Sequence, residues 1–326
     1  MHYVGIDVSK AKLDCTWLRD PATGKIKSKK HDNTSSGHKA LVQWLSKNVS
    51  TDPNEILVVM EATGIYHEVV AYALFEAGVR VCVANPARTK EFANSLGNTH
   101  KTDAKDSVVL AKYGYLIKPE QWQPEPPEAR ELKALNGHIE ALEKDIQRSQ
   151  NRLEKAEFNR ASERVIKSLH ILIEQLQAEK KRLESDIDDH IDRHPQLKKD
   201  RALMESIPGV GKVVSRTMLS VIHGRSFQQA GQLAAYIGLI PRIQESGTWR
   251  GKSRLSKQGS PKIRAKLYMP AVTSIQHNPD IRAQYERLLK NGKSKMQAIG
   301  AAMRKLVQIC FGVVKHQSEY RPQVAI

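Results

Sequence analysis

The sequence predicts an α/β domain, a mixed sheet covered by helices, followed by a coiled-coil hairpin and a mostly helical, strongly basic C-terminal domain. Three features carry that expectation. Up to about residue 118, short apolar runs with the two-residue period of strands alternate with segments of helical period. Between residues 129 and 197, two long stretches repeat leucine and isoleucine at three- and four-residue spacing. Residues 201–326 then carry 21 Lys and Arg against 5 Asp and Glu, nearly all of the formal net charge of +17.

Within the first part, the alternation in His2-Tyr3-Val4-Gly5-Ile6-Asp7-Val8 predicts a half-buried strand with Tyr3, Gly5 and Asp7 on one face. Strands near residues 12–19 and 25–31 and a helix near 36–48 follow. The run Ile56-Leu57-Val58-Val59-Met60 is continuously apolar, as in a sheet interior covered on both faces. Glu61 therefore emerges at the rim of a buried element, where an unpaired charge is expensive. A helix near 66–77, a strand near 79–84, and helices after Pro86 and Thr102 complete the domain. In the last helix, i, i+3 spacing puts Asp103 and Asp106 on one face.

Asp7, Glu61, Asp103 and Asp106 are thus hard oxygen ligands converging from two strand ends and a helix. Such a set suits Mg²⁺ or Mn²⁺, which polarises a phosphate and activates a nucleophile. The bland reading stands beside it: single acids are mostly solvated, and Lys101 and Lys105 can pair with Asp103 and Asp106 as ordinary helix salt bridges.

Four prolines between Pro119 and Pro127 exclude a helix or central strand and predict a linker over residues 119–128. After it, Leu132, Leu135, Ile139, Leu142, Ile146 and Leu153 form a seam in which only Ser149 is polar. A second helix carries Val165, Leu169, Leu172, Leu176, Leu183 and Ile187 and stops near Pro195. Helices of about 27 residues would reach roughly 40 Å. They predict an assembly element over 129–197, paired as an antiparallel hairpin or with another chain, and leave a basic domain over 198–326.

A concentrated positive field most often serves phosphate backbones. No stretch approaches the apolar length needed to cross a bilayer, so a membrane partner is not expected. The N-terminus enters its first strand without a signal-peptide pattern, which predicts a cytoplasmic location. Cys15, Cys82 and Cys310 lack any paired spacing and read as small buried hydrophobes. His190 and His194, at i, i+4 without a third ligand, mark a helix end rather than a zinc site.

The basic third holds two motifs. Glu205-Ser206-Ile207-Pro208-Gly209-Val210-Gly211-Lys212 resembles a helix-hairpin-helix element, in which glycines let backbone N–H groups approach a phosphate. The same residues also suit a plain interhelical turn. The second motif runs from Pro241 to Arg254 and on to Lys266. Between Arg242 and Lys266 it holds eight basic residues, Arg242, Arg250, Lys252, Arg254, Lys257, Lys262, Arg264 and Lys266, against one acid. Ser246, in a glycine-flanked loop within that field, suits attack on a phosphodiester, although a Ser-Gly pair is also a common turn. Trp249 can stack on a base or fill a core.

Taken in order, Gly5-Ile6-Asp7-Val8-Ser9-Lys10, Met60-Glu61-Ala62-Thr63-Gly64, Lys101-Thr102-Asp103 with Asp106, Ser206-Ile207-Pro208-Gly209-Val210-Gly211, Ala235-Tyr236-Ile237-Gly238-Leu239 with Pro241-Arg242, and Leu267-Tyr268-Met269-Pro270-Ala271 resemble the DEDD-type insertion-sequence transposases. This family is understood as bridge-RNA-guided recombinases. The resemblance implies a RuvC-like, ribonuclease-H-type domain holding Mg²⁺ on Asp7, Glu61, Asp103 and Asp106, and a C-terminal domain whose serine nucleophile corresponds to Ser246. It also implies a noncoding guide RNA that pairs with donor and target DNA. Protomers would assemble as a dimer of dimers, so that one chain's acids meet another's serine, in a nucleoid-associated complex. Ser107 departs from the alanine usual at that place. Two rival functions share parts of the pattern: a RuvC-like, structure-specific DNA nuclease using water, and a non-catalytic nucleic-acid-binding scaffold.

Overall fold

The alternation of the first 32 residues folds into three antiparallel strands, β1 (His2–Val8), β2 (Lys12–Asp20) and β3 (Lys25–Asp32). The computed structural model describes residues 1–96, 103–242, 245–246, 249–251, 254–256 and 258–323, without the side chains of 103–105, 245, 249 and 250. Helix α1 (Ser35–Asn48) starts where the Thr34 side chain accepts a hydrogen bond from the Gly37 N–H. Strand β4 (Ile56–Glu61) returns parallel to β1. After α2 (Glu68–Glu76), β5 (Arg80–Ala84) lies parallel to β4, and the sheet order is β3-β2-β1-β4-β5. Helices α3 (Pro86–Ser95) and α4 (Asp103–Ile117) follow.

Both faces of this mixed sheet are covered. Val4, Ile6 and Val8 pack with Leu41 and Leu45 of α1 and with Val70 and Leu74 of α2. On the other face, Leu57 and Val59 pack with Leu110 and Tyr113 of α4. Strand β1 is therefore buried on both sides rather than on one. The reason is Gly5: a Cβ there would lie 1.9 Å from the Ser107 carbonyl oxygen and 2.5 Å from the Ala111 nitrogen. A glycine inside a strand marks such a backbone approach, and here it admits α4.

The proline-rich segment is strapped to this unit. The Trp122 N–H donates to the Val81 carbonyl at 2.7 Å, and its ring meets Tyr72 and Phe75 edge-on. The chain divides into two compact units, residues 1–124 and 125–326. Helix α5 (Pro127–Phe158) begins inside the expected linker, since proline fits the first helical position.

Helices α5 and α6 (Glu163–Arg193) are 32 and 31 residues long. They run antiparallel, with His190 Nε2 donating to the Glu128 carbonyl at 2.9 Å and Lys180 pairing with Glu143 at 3.0 Å. Leu132, Ile139 and Leu142 pack with Leu183, Ile187 and Ile191. Two expected seam residues, Val165 and Leu172, are instead 48% and 39% exposed, while Ile173 is buried. The sequence places apolar residues on two faces there, and heptad spacing does not choose between them. His194 Nδ1 donates to the His190 carbonyl, which makes the pair a helix end.

Helices α7 (Pro195–Glu205), α8 (Lys212–His223) and α9 (Ala230–Ile237) follow. Two short ribbons come next: β6 (Pro241–Arg242) pairs with β9 (Arg254–Leu255), and β7 (Glu245–Ser246) with β8 (Trp249–Arg250). The unit ends in α10 (Pro261–His277), α11 (Pro279–Lys290) and α12 (Lys295–His316). By length and composition, α12 could cross a membrane, contrary to the sequence expectation. Leu306, Val307 and Cys310 of this helix are fully buried within the unit. All three cysteines are free and buried, and burial pushes the Cys310 thiol up to about 12.

Asp200 ties three helices together. Its buried carboxylate accepts from His223 at 2.8 Å, Gln317 at 2.7 Å and Gln196 at 3.0 Å. Burial alone would raise its pKa; the donors, His223 foremost, outweigh burial and hold it below the ordinary value. A carboxyl depressed in the folded state stabilises the fold above its unfolded pKa of about 3.9. That contribution is lost as pH falls through the folded value. Asp200→Ala is expected to cost about 3 kcal/mol at pH 7, and the part of that difference that comes from the charge should be lost as the carboxyl protonates in acid. Urea titrations of both proteins at pH 7 and pH 3 check this; an equal difference at both pH values would contradict it.

Candidate active site

Strands β1 and β4 end level with each other. Ile6 sits opposite Met60, so Asp7 and Glu61 are the next residues on neighbouring parallel strands. Asp7 has the parity of Gly5, and Glu61 that of Leu57 and Val59, which puts both acids on the face covered by α4. Helix α4 runs antiparallel to β1, with Ser107 over Gly5 and Gly114 beside Tyr3 and Val59. Its N-terminus therefore lies toward the ends of β1 and β4. Asp106 directly precedes Ser107, and the backbone of Asp103 starts the helix about 4.5 Å further along. The Asp103 side chain, like Lys101, lies outside the described residues.

Glu61, and the helix turn that carries Asp106, are held by neighbours distant in sequence. The Thr89 hydroxyl, buried on α3, donates to Glu61 Oε1 at 2.5 Å and lies 3.1 Å from the Pro86 carbonyl. That bond fixes the orientation of the Glu61 carboxylate and leaves lone pairs on both oxygens for a ligand. The Ser107 hydroxyl lies 2.9 Å from Thr16 Oγ1, which is 2.8 Å from Ser28 Oγ, so a row of hydroxyls locks α4 to β2 and β3. The serine at 107 thus adds a tether that alanine lacks. Asp14, opposite Asp7 in the β1–β2 ladder, is a further buried acid that the sequence reading passed over. The alternation of β2 could have revealed it, since Asp14 and Thr16 share a face.

These donors are hard carboxylate oxygens on one face at one end of the sheet, chemistry that fits a divalent ion with oxygen preference. Among the described residues, no three His, Cys, Asp or Glu side chains are close enough to hold an ion together.

In the second unit, Ser246 is exposed and lies in a two-residue strand opposite Trp249, not in an open loop. Arg242 and Arg254 face each other across β6 and β9, and both are exposed. Like charges in direct opposition weaken a ladder unless an anion joins them. Four other expected nucleic-acid contacts have partners inside the chain. Lys262 and Lys266 grip Glu140 at 3.1 and 2.9 Å, and Lys212 pairs with Asp188 at 3.2 Å. Arg264 Nη1 donates to the carbonyls of Ile237 and Gly259. Counting cations in sequence therefore overstates the charge directed outward. Lys252 and Lys257, and the side chain of Arg250, fall outside the described residues.

The two glycines of the turn before α8 differ. Gly209 has φ +96°, and a Cβ there would lie 2.1 Å from Ser274 Oγ of α10, so packing alone requires glycine. Gly211 caps α8 with nothing within 4 Å of its would-be Cβ, which leaves that helix N-terminus accessible.

Two family models match the chain. One, a transposase model of the DEDD IS110 type, covers residues 4–156; the other, described as the transposase IS116/IS110/IS902 family, covers 201–286. A pilin gene-inverting protein of Moraxella lacunata is 30% identical, spanning 99% of this chain and 98% of its own length. That of Moraxella bovis is 29% identical over the same shares. An uncharacterized protein of insertion element IS110 from Streptomyces coelicolor is 25% identical over 49% of this chain and 39% of its own.

Proposed function

Because the chain belongs to the IS110/IS116 family of insertion-sequence transposases, we propose that it is an RNA-guided DNA recombinase that cuts and rejoins strands through a serine–phosphodiester link. Family members cleave and transfer DNA strands, and the chain is an enzyme of that kind. DEDD-type transposases generally depend on a divalent metal. The observation that carries the reading is the alignment of Asp7, Glu61 and the N-terminus of α4 on one face and at one end of the sheet. The strand order β3-β2-β1-β4-β5, three antiparallel then two parallel, supports a RuvC-type, ribonuclease-H-like identity for this unit.

In this mechanism Asp7, Glu61, Asp103 and Asp106 would hold Mg²⁺. When bound, the ion neutralises phosphate charge and favours ionisation of an attacking hydroxyl. Thr89 orients Glu61, and the tether between Ser107 and Thr16 fixes the turn of α4 next to Asp106. Ser246 Oγ attacks the scissile phosphorus, loses its proton to a base, and forms a P–O bond as the bond to a deoxyribose oxygen breaks. The released sugar oxygen takes up a proton. Rejoining reverses these steps with a hydroxyl from the other duplex, so the energy of the broken ester is retained. Exposed Arg242 and Arg254 steady the backbone beside Ser246.

A noncoding guide RNA that pairs with donor and target DNA belongs to the proposal, supported by the ordered resemblance from Gly5 to Ala271 and by the basic last third. So do location in the cytoplasm on the nucleoid and assembly as a dimer of dimers through α5 and α6 in coiled-coil fashion. Phe158, 88% exposed at the far end of that hairpin, with Val165 and Leu172, supports assembly there. The name of the Moraxella relatives, gene-inverting proteins, favours rearrangement over simple hydrolysis by a nuclease.

Ser246→Ala is expected to abolish recombinant junctions and the protein–DNA adduct seen on a denaturing gel, with DNA binding retained. Junctions at wild-type yield from this variant would eliminate the covalent route.

A further inference from the structure

Across the sheet from Asp7, the ladder registers Asp7 with Asp14 and Asp14 with Lys30. The row lies on the face covered by α4. Its neighbour, Gly5–Thr16–Ser28, meets Ser107 through the Thr16 hydroxyl, and Asp106 directly precedes Ser107. Asp14 is only 9% exposed. Lys30 Nζ holds its carboxylate at 2.9 Å, from a side chain that is 67% exposed. Two carboxylates directly opposed in an antiparallel pair repel at a Cβ separation of about 5 Å. Lys30 is the cation beside Asp14, and the charges of both reach the acid site through Asp14's place opposite Asp7.

We infer that Asp14, balanced by Lys30, is a positioning residue of the acid site whose charge sets how tightly that site holds a divalent cation. This rests on the metal reading of Asp7, Glu61, Asp103 and Asp106. Asp14 acts beside Asp7: its negative charge deepens the potential at the ends of β1 and β4, and Lys30 offsets part of it. If the ion pair served only to pin the edge strand β3, it would affect folding and leave metal affinity alone. Acting electrostatically, the two residues must shift affinity in opposite directions. At a separation of several ångströms near a protein surface, one unit charge is enough for about a tenfold change.

The test is Mn²⁺ titration of the full chain, followed by the paramagnetic resonance signal of free Mn²⁺, with circular dichroism as a check of folding. Asp14→Asn should weaken binding about tenfold, Lys30→Met should tighten it several-fold, and the double variant should return near wild type. Asp14→Glu should restore most of the affinity lost in Asp14→Asn. Affinity within twofold of wild type in folded Asp14→Asn would overturn the inference. If that variant does not fold, absence of tightening in Lys30→Met would do so. Asp7→Asn separates the two layers: if wild type binds no Mn²⁺, or Asp7→Asn binds as well as wild type, the metal site itself is wrong and this inference falls with it.

Discussion

Asp7→Asn and Asp106→Asn should each lower DNA strand cleavage by at least about a thousandfold while leaving DNA binding within roughly twofold. Asparagine keeps the size of aspartate and removes its charge, so the packing of β1 and α4 stays and only ligand strength is lost. Glu61→Gln is a stricter version of the experiment. Its side-chain oxygen can accept the same bond from Thr89, so geometry is preserved and activity reports charge alone. Cleavage of supercoiled substrate and gel shift, run in parallel, measure both quantities. Cleavage within tenfold of wild type in Asp106→Asn would remove that acid from the site.

Gly5→Ala is expected to destabilise the first unit by about 3 kcal/mol or more and to abolish cleavage with it. The added carbon would sit 1.9 Å from the Ser107 oxygen, 2.5 Å from the Ala111 nitrogen and 2.9 Å from Leu110 Cβ. Two of these are backbone atoms that no rotamer change can move, so α4 must shift bodily. That shift would break the hydroxyl tether at Thr16 and displace Asp106 together. Thermal unfolding should show a loss of roughly 10 °C in the first unit. Gly137→Ala, at a helical position with nothing within 4 Å, is the matched control and should be neutral or stabilising. Equal melting temperatures for Gly5→Ala and wild type would mean that α4 does not dock as described.

The five strands and the long helices could be read in advance because their signals are local. Apolar period two in Val4, Ile6 and Val8, period 3.6 after Pro127, and a proline cluster each act within a few residues. Asp7 and Glu61 stand out as candidates for a similar reason: they end apolar runs, where charge is conspicuous. Less legible were the residues that hold Glu61 and the turn next to Asp106. Thr89 reaches Glu61 across 28 positions and Ser107 reaches Thr16 across 91, distances at which one sequence carries no pairing signal. The basic motif misled in the opposite way, since Lys262, Lys266 and Arg264 look like free phosphate ligands until Glu140 and the Ile237 carbonyl appear beside them.

Composition and periodicity alone determined the mixed α/β unit, the two long helices and the basic last third, because those properties depend on residue type and near neighbours. Tertiary structure alone decided that α4 lies on Gly5, that Asp14 and Lys30 join the row of Asp7, and which cations face outward. Those outcomes depend on which distant backbone comes within hydrogen-bonding reach, and only the folded chain sets that distance.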